Sequence, residues 1–430
     1  MKKLLGLLLV AAIAFPASAA VIKNVELKGE VQTIASDTKA NVEMPTGAAL
    51  YNRGAKTRAI AGLSFDVVED VKANLLFQYV YAWGDHNYTN NGFDNAKGMK
   101  LANANLVFSN LFDSLEVTVG RQFYGEDGSP IIYFGANHYN AEGLGYASSL
   151  DAAKAVYSND NLTATFIAGK VADVSAGFFG FYGDPEIGLR GNLFGADVKF
   201  NITDALTANV YGYDYNNNAV YDTDVYDDTW GAEVTKNIGV YGAKLGWTTD
   251  AFRMSAEYAR NFSGHRLVKE PKDVPYMVKA DIATDIEAVT LRGTFLYAKT
   301  KADWEMPFFQ LGNYAPGLLV GHRLSQGVTQ SIFTYDVSGI RMFNIGFDYK
   351  PADQWTVSLD GFSFQSRDGH HATYEADLTA KYDYNDYVQL FAGLGYAKYG
   401  NAEQLLTGLP YKDAIGTENY KGQIGMLVRF

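Results

Sequence analysis

The 430-residue chain has no cysteine, which removes disulfides, thiol nucleophiles and thiolate metal ligands and leaves an exported life open. Proline is scarce at 10 residues, and no Pro-rich or charged linker interrupts the chain, so a single domain is expected. Beyond the N-terminus no stretch approaches the roughly 20 apolar residues a spanning helix needs. If the chain enters a membrane, it does so as strands closed into a barrel, the other way to satisfy every backbone polar group in lipid. Positive charge is also short: 36 Lys+Arg face 48 Asp+Glu, a net charge of −12, which argues against a nucleic-acid partner. Histidine is confined to His86, His138, His265, His322, His370 and His371, all in expected loops. A barrel hydrolase needs a strand-borne His beside its nucleophile, so no catalytic residue is assigned and the chain reads as no enzyme. The acidic cluster Asp222, Asp224, Asp227 and Asp228 lacks the Gly and closing Glu of an EF-hand loop. It reads as a solvated face that meets divalent cations at a lipopolysaccharide surface, and nothing calls for a resident metal or a cofactor.

What is abundant is aromatic: 30 Tyr and 26 Phe, strand formers that also suit girdles at two membrane interfaces. From Val21 onward a unit recurs of about ten alternating residues, a tight polar turn, about ten more, and a longer Asn/Asp/Gly/Tyr-rich loop. Lys56 to Val67 shows it clearly, with Ala59, Ala61, Leu63 and Phe65 on one parity and Arg58, Gly62, Ser64 and Asp66 on the other. The Glu69-Asp70 turn leads into Leu75, Phe77, Tyr79, Tyr81 and Trp83. Counting such units predicts an all-β fold, a transmembrane antiparallel β-barrel of about 18 strands with short turns at one end and long loops at the other. A soluble β-sandwich or solenoid is the rival architecture.

Both ends fit export to a membrane. Lys2 and Lys3, the apolar run Leu4 to Phe15, Pro16 and Ala17-Ser18-Ala19 have the layout of a secretory signal, so 1–19 is expected to be removed and 20–430 to form the barrel. Loss of Lys2 and Lys3 takes the formal charge from −12 to −14. At the other end Tyr420, Gly422, Ile424, Met426, Val428 and Phe430 share one parity. This resembles the last strand of bacterial outer-membrane β-barrels, whose terminal Phe is read by the outer-membrane assembly machinery; Phe430 is the corresponding assembly signal. The location so implied is the outer membrane, with its lipid and lipopolysaccharide as partners.

Val119 to Tyr139, entered through Gly120-Arg121-Gln122, resembles the alginate-export family of outer-membrane porins, in which a strand ending in G-R-Q enters a large loop. Pro307 to Arg323 looks like that family's long loop in the second half. The resemblance implies an 18-stranded porin with a basic lumen for acidic sugars. The lumen parity here is mixed in sign, with Arg58, Lys154, Lys199, Arg253, Arg292, Lys381 and Lys421 among Asp66, Asp197, Glu257, Asp348, Asp360, Glu375 and Asp377. A mixed lumen fits a channel for small hydrophilic solutes, sugars or acidic sugars among them. The alternative is a surface adhesin or structural barrel plugged by its own loops.

The expected solute path runs past Arg58, Arg253 and Arg292, which either bind passing carboxylates or pair with Glu257 and Asp66. Arg121 falls on the lipid parity, and a bulge at Gly120 is expected to turn it inward ahead of Gln122. A barrel of this size is too wide to select small solutes unless something narrows it. Tyr124 to Ser149 and Lys299 to Ser331 are apolar for exposed loops, so both are expected to fold into the mouth, bringing Arg121, His138, His322 and Arg323 to the constriction. The alternatives are that they pack above the rim, or mediate contacts between subunits of a homo-oligomer.

Overall fold

The structure is a computed structural model that describes residues 22–40, 50–84, 98–141, 143–171, 191–217, 237–262, 274–299, 311–320, 339–366, 372–398 and 418–430. The expected signal, the acidic cluster from Asp222 to Asp228, Phe308, Phe309, Arg323 and every histidine but His138 lie outside these residues.

The chain begins with β1 (Lys23–Ala40), β2 (Leu50–Val68), β3 (Val71–Ala82), β4 (Lys100–Leu111) and β5 (Leu115–Gln122). A two-stranded ribbon follows, β6 (Tyr124–Gly125) with β7 (Tyr133–Phe134), inside a connection. Next come β8 (Leu150–Ser158), β9 (Leu162–Val171), β10 (Gly191–Asn201), β11 (Leu206–Asn217), β12 (Asn237–Thr248) and β13 (Phe252–Phe262). The last are β14 (Tyr276–Ile286), β15 (Val289–Lys299), β16 (Gly339–Tyr349), β17 (Trp355–Ser366), β18 (Ala372–Asp383), β19 (Val388–Lys398) and β20 (Glu418–Arg429).

All strands but the ribbon form one 18-stranded antiparallel sheet. It closes where β20 pairs with β1, from Arg429 opposite Glu30 to Asn419 opposite Ala40. Gly29 and Phe430 add two backbone hydrogen bonds of 2.8 and 3.0 Å beyond that ladder. Closure leaves no edge strand, so every strand can carry an apolar outer face without inviting aggregation.

Alternation sets the two faces. Outward residues are large, apolar and exposed, as with Leu75 and Tyr79 in β3, Leu245 and Trp247 in β12, Ile345 and Phe347 in β16 and Leu394 in β19. Inward positions are polar in the middle of the barrel, among them Ser64, Glu257, Asn344, Asp377 and Gln423. Apolar outside and polar inside reverses a soluble fold and matches a barrel whose solvent is lipid. β1 and β2 reach 18 and 19 residues, longer than the alternation marks, because they go on pairing with each other as far as Ala40 and Leu50. Short connections such as Glu69-Asp70 and Glu287-Ala288 gather at one end and long ones at the other. At the tight turn Asp70 takes φ 65°, the left-handed region that Asp tolerates.

Candidate functional site

The inner wall turns apolar toward the loop-side end. Leu193 in β10, Val240 in β12, Met277 in β14, Leu296 in β15, Met342 in β16 and Phe364 in β17 point inward there and are buried. Two inserts cover this collar. From the connection between β5 and β8 come Ile131, Ile132 and Phe134; from the one between β15 and β16 come Leu311, Leu319 and Val320. All belong to one apolar cluster with the wall. Fully burying a side chain of this size contributes about 1.5–3 kcal/mol, so these inserts gain more inside the barrel than in water above it.

The inserts also bond to each other. Ile132 and Leu311 form a parallel bridge, and Tyr133 N donates to Leu311 O at 2.7 Å. Asn313 is the joint: its Oδ1 accepts from Gly128 N at 2.8 Å, and its Nδ2 donates to Asp127 at 2.6 Å and to Asn137 at 2.9 Å. The result is a septum that spans the lumen.

Polar clasps fix the first insert to the wall. Arg58, fully buried in β2, donates to Glu30 of β1 at 2.9 Å, to Gln32 at 3.2 Å and to the insert's Gly145 O at 3.4 Å. Gln78 in β3 exchanges two bonds with Ala147, at 2.7 and 2.9 Å. His138 sits between two carboxylates, 2.9 Å from Glu30 and 3.6 Å from Asp127. Burial works against its charged form, but the bonds to Asp127 and Glu30 outweigh it, and its pKa is raised. Burial also opposes the ionised Asp127, and His138 and Asn313 prevail, so that pKa is lowered. Burial pushes the Tyr124 hydroxyl up to about 12, and it shares a 3.0 Å hydrogen bond with Tyr213 in β11.

The second insert is held by acids of β18. Glu375 accepts from the backbone N–H groups of Leu318 and Leu319 at 2.7 Å and of Val320 at 2.8 Å, while Asp377 accepts from Leu318 N at 2.9 Å. Lys421 in β20 holds both inserts at once, donating to Asn140 Oδ1 at 2.9 Å and to Leu318 O at 3.0 Å.

Among the described residues, cavities beside the septum include two of note. One of about 530 Å³ lies against Glu30, Ile60, Leu76, Tyr124, Tyr133 and Lys154. The other, about 340 Å³, lies between the inserts and the wall from β15 to β20. Its aromatic faces are Tyr139, Tyr314, Phe362 and Phe391; its charges are Arg292, Lys381, Asp360 and Asp377. Lys381 Nζ lies 3.9 Å above the Tyr139 ring, which meets Phe391 edge-on at 5.3 Å. Planar faces interleaved with donors and acceptors suit a small polyhydroxylated or charged solute.

The expected site residues separate in this geometry. Arg292 points inward and lines the smaller cavity, but its partners are Asp348 at 2.6 Å and Asp360 at 3.1 Å rather than Glu257 or Asp66. Arg253 points inward at the turn-side mouth and pairs with Asp285, Nη2 to Oδ1 3.0 Å. Arg58 points inward too, yet the insert covers it, so its guanidinium does not project into open lumen. Glu257 accepts from Tyr211 at 2.6 Å, and Asp66 from Asn24 at 2.6 Å.

Arg121 is a correction. No bulge turns it inward, because the register through Gly120 is unbroken on both sides, with Ala104 and Asp151 opposite Arg121. Gly120 does hold φ 120°, but Arg121 stays on the lipid face and forms two bonds to Asp151, of 2.8 and 2.7 Å, near the loop-side rim. Gln122 points inward and lies buried beneath the insert, donating to Ala152 O at 3.0 Å. His322 and Arg323 are outside the described residues.

Glu30, Asp127, Asn140 and Asn313 were not singled out from the sequence. For Glu30 a signal existed, since Glu30 and Gln32 alternate with the outward Leu27 and Val31. The loop residues carried none, because a loop has no period.

The family model described as a family of unknown function (DUF6029) matches residues 1–295. No curated protein matches the chain. Among solved structures, OccD3 (OpdP) of Pseudomonas aeruginosa is similar at TM-score 0.58 and 11% identity, covering 96% of this chain and 96% of that one. OccK3 (OpdO) of the same organism aligns at TM-score 0.57 and 10% identity over 94% of this chain and 96% of that one. OccAB4 of Acinetobacter baumannii gives 0.56 and 10% over 94% and 98%. At such identities the likeness is one of fold, that of the 18-stranded outer-membrane porin; none of these comparisons names the alginate-export family.

Proposed function

Because the chain belongs to the DUF6029 family, whose description carries no activity, we propose its function from its own lumen: an outer-membrane porin that passes small hydrophilic solutes by diffusion past a septum of two inserts. The observation that carries this reading is the septum with a polar, aromatic-faced cavity of about 340 Å³ at its side, large enough for one small solute. The outer-membrane location accords with the fold's solved neighbours, one of which is described as the outer membrane protein opdK from Pseudomonas aeruginosa.

Sugars, acidic sugars included, are the finer part of the proposal, in line with the resemblance to alginate-export porins at Gly120-Arg121-Gln122. Carboxylates beside the cations in both cavities favour short solutes over a polyanion. Liposome swelling with neutral, acidic and cationic sugars of graded size tests this. We expect uptake of mono- and disaccharides with a sharp fall above that size. Arg292→Gln, which leaves Asp360 and Asp377 facing the cavity with Lys381 as the remaining cation, should shift preference toward the cationic sugar. Uptake that ignores both size and this change would refute the assignment of the cavity.

The same proposal includes the signal at 1–19 and the role of Phe430. Phe430 closes the seam on β1 through its backbone bonds to Gly29. Its deletion should leave export intact and reduce the amount of heat-modifiable, assembled barrel; normal assembly of the shortened chain would remove Phe430 as a signal.

A further inference from the structure

The outer face carries its charge at one end. Among the described strands, outward positions in the middle are uncharged, and those near the short turns are apolar or aromatic, as with Phe200, Trp247, Phe252 and Trp355. At the loop-side end they become basic. In β13, β15 and β19 the outward residue one step beyond a tyrosine is a cation: Arg260 after Tyr258, Lys299 after Tyr297 and Lys398 after Tyr396. In β16, which runs the other way, Arg341 precedes Phe343 and lies 5.6 Å from the centre of the Tyr297 ring. Lys39 in β1 and Lys170 in β9 also lie near the loop-side ends of their strands and are exposed.

Acids at this level are fewer. Asp37 and Asp151 are taken up by Arg53 and Arg121, at 2.8 and 2.7 Å, Glu418 accepts from the hydroxyls of Tyr396 and Tyr420 at 3.3 and 3.0 Å, and Asp214 in β11 faces outward opposite Phe194. Among the described residues the belt is net positive, which on a chain of formal charge −12 is not explained by solubility, since either sign would serve that.

Depth and spacing indicate what the belt meets. Two residues along a strand advance about 6.6 Å, which puts the cations just beyond the tyrosine girdle, in the headgroup layer. A Lys or Arg costs about 2–4 kcal/mol at the bilayer midplane but about 0–1 near an interface, so this is the depth at which the outer face tolerates them. In the arc from β13 to β16, Arg260 is opposite Tyr276, Tyr276 is opposite Lys299, and Arg341 is opposite Tyr297. Neighbouring strands are about 4.8 Å apart, so a phosphate or diphosphate group can meet two of these cations at once.

We propose that the loop-side belt, centred on Arg260, Lys299 and Arg341, is a docking surface for the phosphate groups of a phosphorylated lipid in the adjoining leaflet. This rests on the outer-membrane reading of the barrel but not on its being an open channel.

The test uses the full-length mature barrel in detergent, offered bisphosphorylated lipid A, the same lipid with its phosphates removed, or phosphatidylcholine, with retained lipid read by native mass spectrometry. Wild type should retain the phosphorylated lipid at least severalfold better than its dephosphorylated form. The triple change Arg260→Gln, Lys299→Gln and Arg341→Gln should abolish that difference, while Lys299→Arg with Arg341→Lys should keep it. Equal retention of both lipid A forms by wild type, or an undiminished difference in the triple variant, would overturn the proposal. Displacement of the lipid by millimolar inorganic phosphate alone would overturn the assignment to lipid. If the triple variant does not assemble, the wild-type contrast and the conservative pair still decide. A barrel that passes no current yet retains lipid by its phosphates would sink the channel reading and leave the belt standing.

Discussion

At the residue scale, the clasp around His138 joins a loop to the wall through charge. Its imidazole faces Glu30 on β1 and Asp127 on its own insert, with Arg58 and Tyr133 beside them. Because the folded pKa of His138 is raised above its ordinary 6.5, its contribution is complete below that value and is lost as pH rises through the raised one. Asp127 works in the opposite sense: its contribution is present above the ordinary 3.8 and is lost as pH falls through its lowered value. The clasp is therefore tightest between these limits and loosens in alkali. Open-channel current noise of wild type should rise as pH passes the raised pKa of His138, whereas His138→Gln should be noisy at every pH between 5 and 9. Identical pH profiles for the two would show that the clasp does not hold the insert. A hydrogen bond to a charged group contributes about 1.5–3 kcal/mol, enough to shift the docking of one loop. The sequence marks His138 as a loop histidine near a constriction, but not its partners. Glu30 lies 108 residues away, and only closure of the barrel puts β1 beneath the insert.

At the scale of elements, strands were legible and the contacts of loops were not. Alternation fixes which residues of β2, β13 and β15 face inward, because one face must meet lipid, and Arg58, Arg253 and Arg292 all do so. It does not say which of them a loop will cover, so Arg58 became a buried anchor and Arg292 a cavity wall. For Arg121 the parity was right and the expected bulge was not, since an ion pair with Asp151 makes an outward Arg tolerable near the rim. In the second insert the decisive position is Gly317. It holds φ 81°, and a Cβ there would lie 2.7 Å from Glu375 Oε1. Left-handed backbone costs a residue with a Cβ roughly 1–2 kcal/mol, and the displaced carboxylate would lose its bonds to Leu318, Leu319 and Val320 as well. Gly317→Ala should thus unseat the insert while the barrel stays folded, seen as faster tryptic cleavage of this connection with heat-modifiability unchanged. Cleavage at the wild-type rate would mean the Glu375 cradle is not what seats it.

At the scale of the molecule, the barrel is built inside out twice. Its outer face is apolar for lipid, and its inner face is polar in the middle yet apolar again at the loop-side collar, where two inserts from distant parts of the chain meet at Asn313. An open barrel of 18 strands encloses a wide aqueous channel, so in the proposed porin the septum is the element that would confer selection. The most direct test is single-channel conductance in planar bilayers, comparing wild type with a chain whose 300–338 connection is replaced by a short Gly/Ser link. The account predicts stable open-channel current in wild type and a severalfold rise in the shortened chain, with a larger size cut-off. The same conductance and cut-off in both, or no current in wild type, would contradict it.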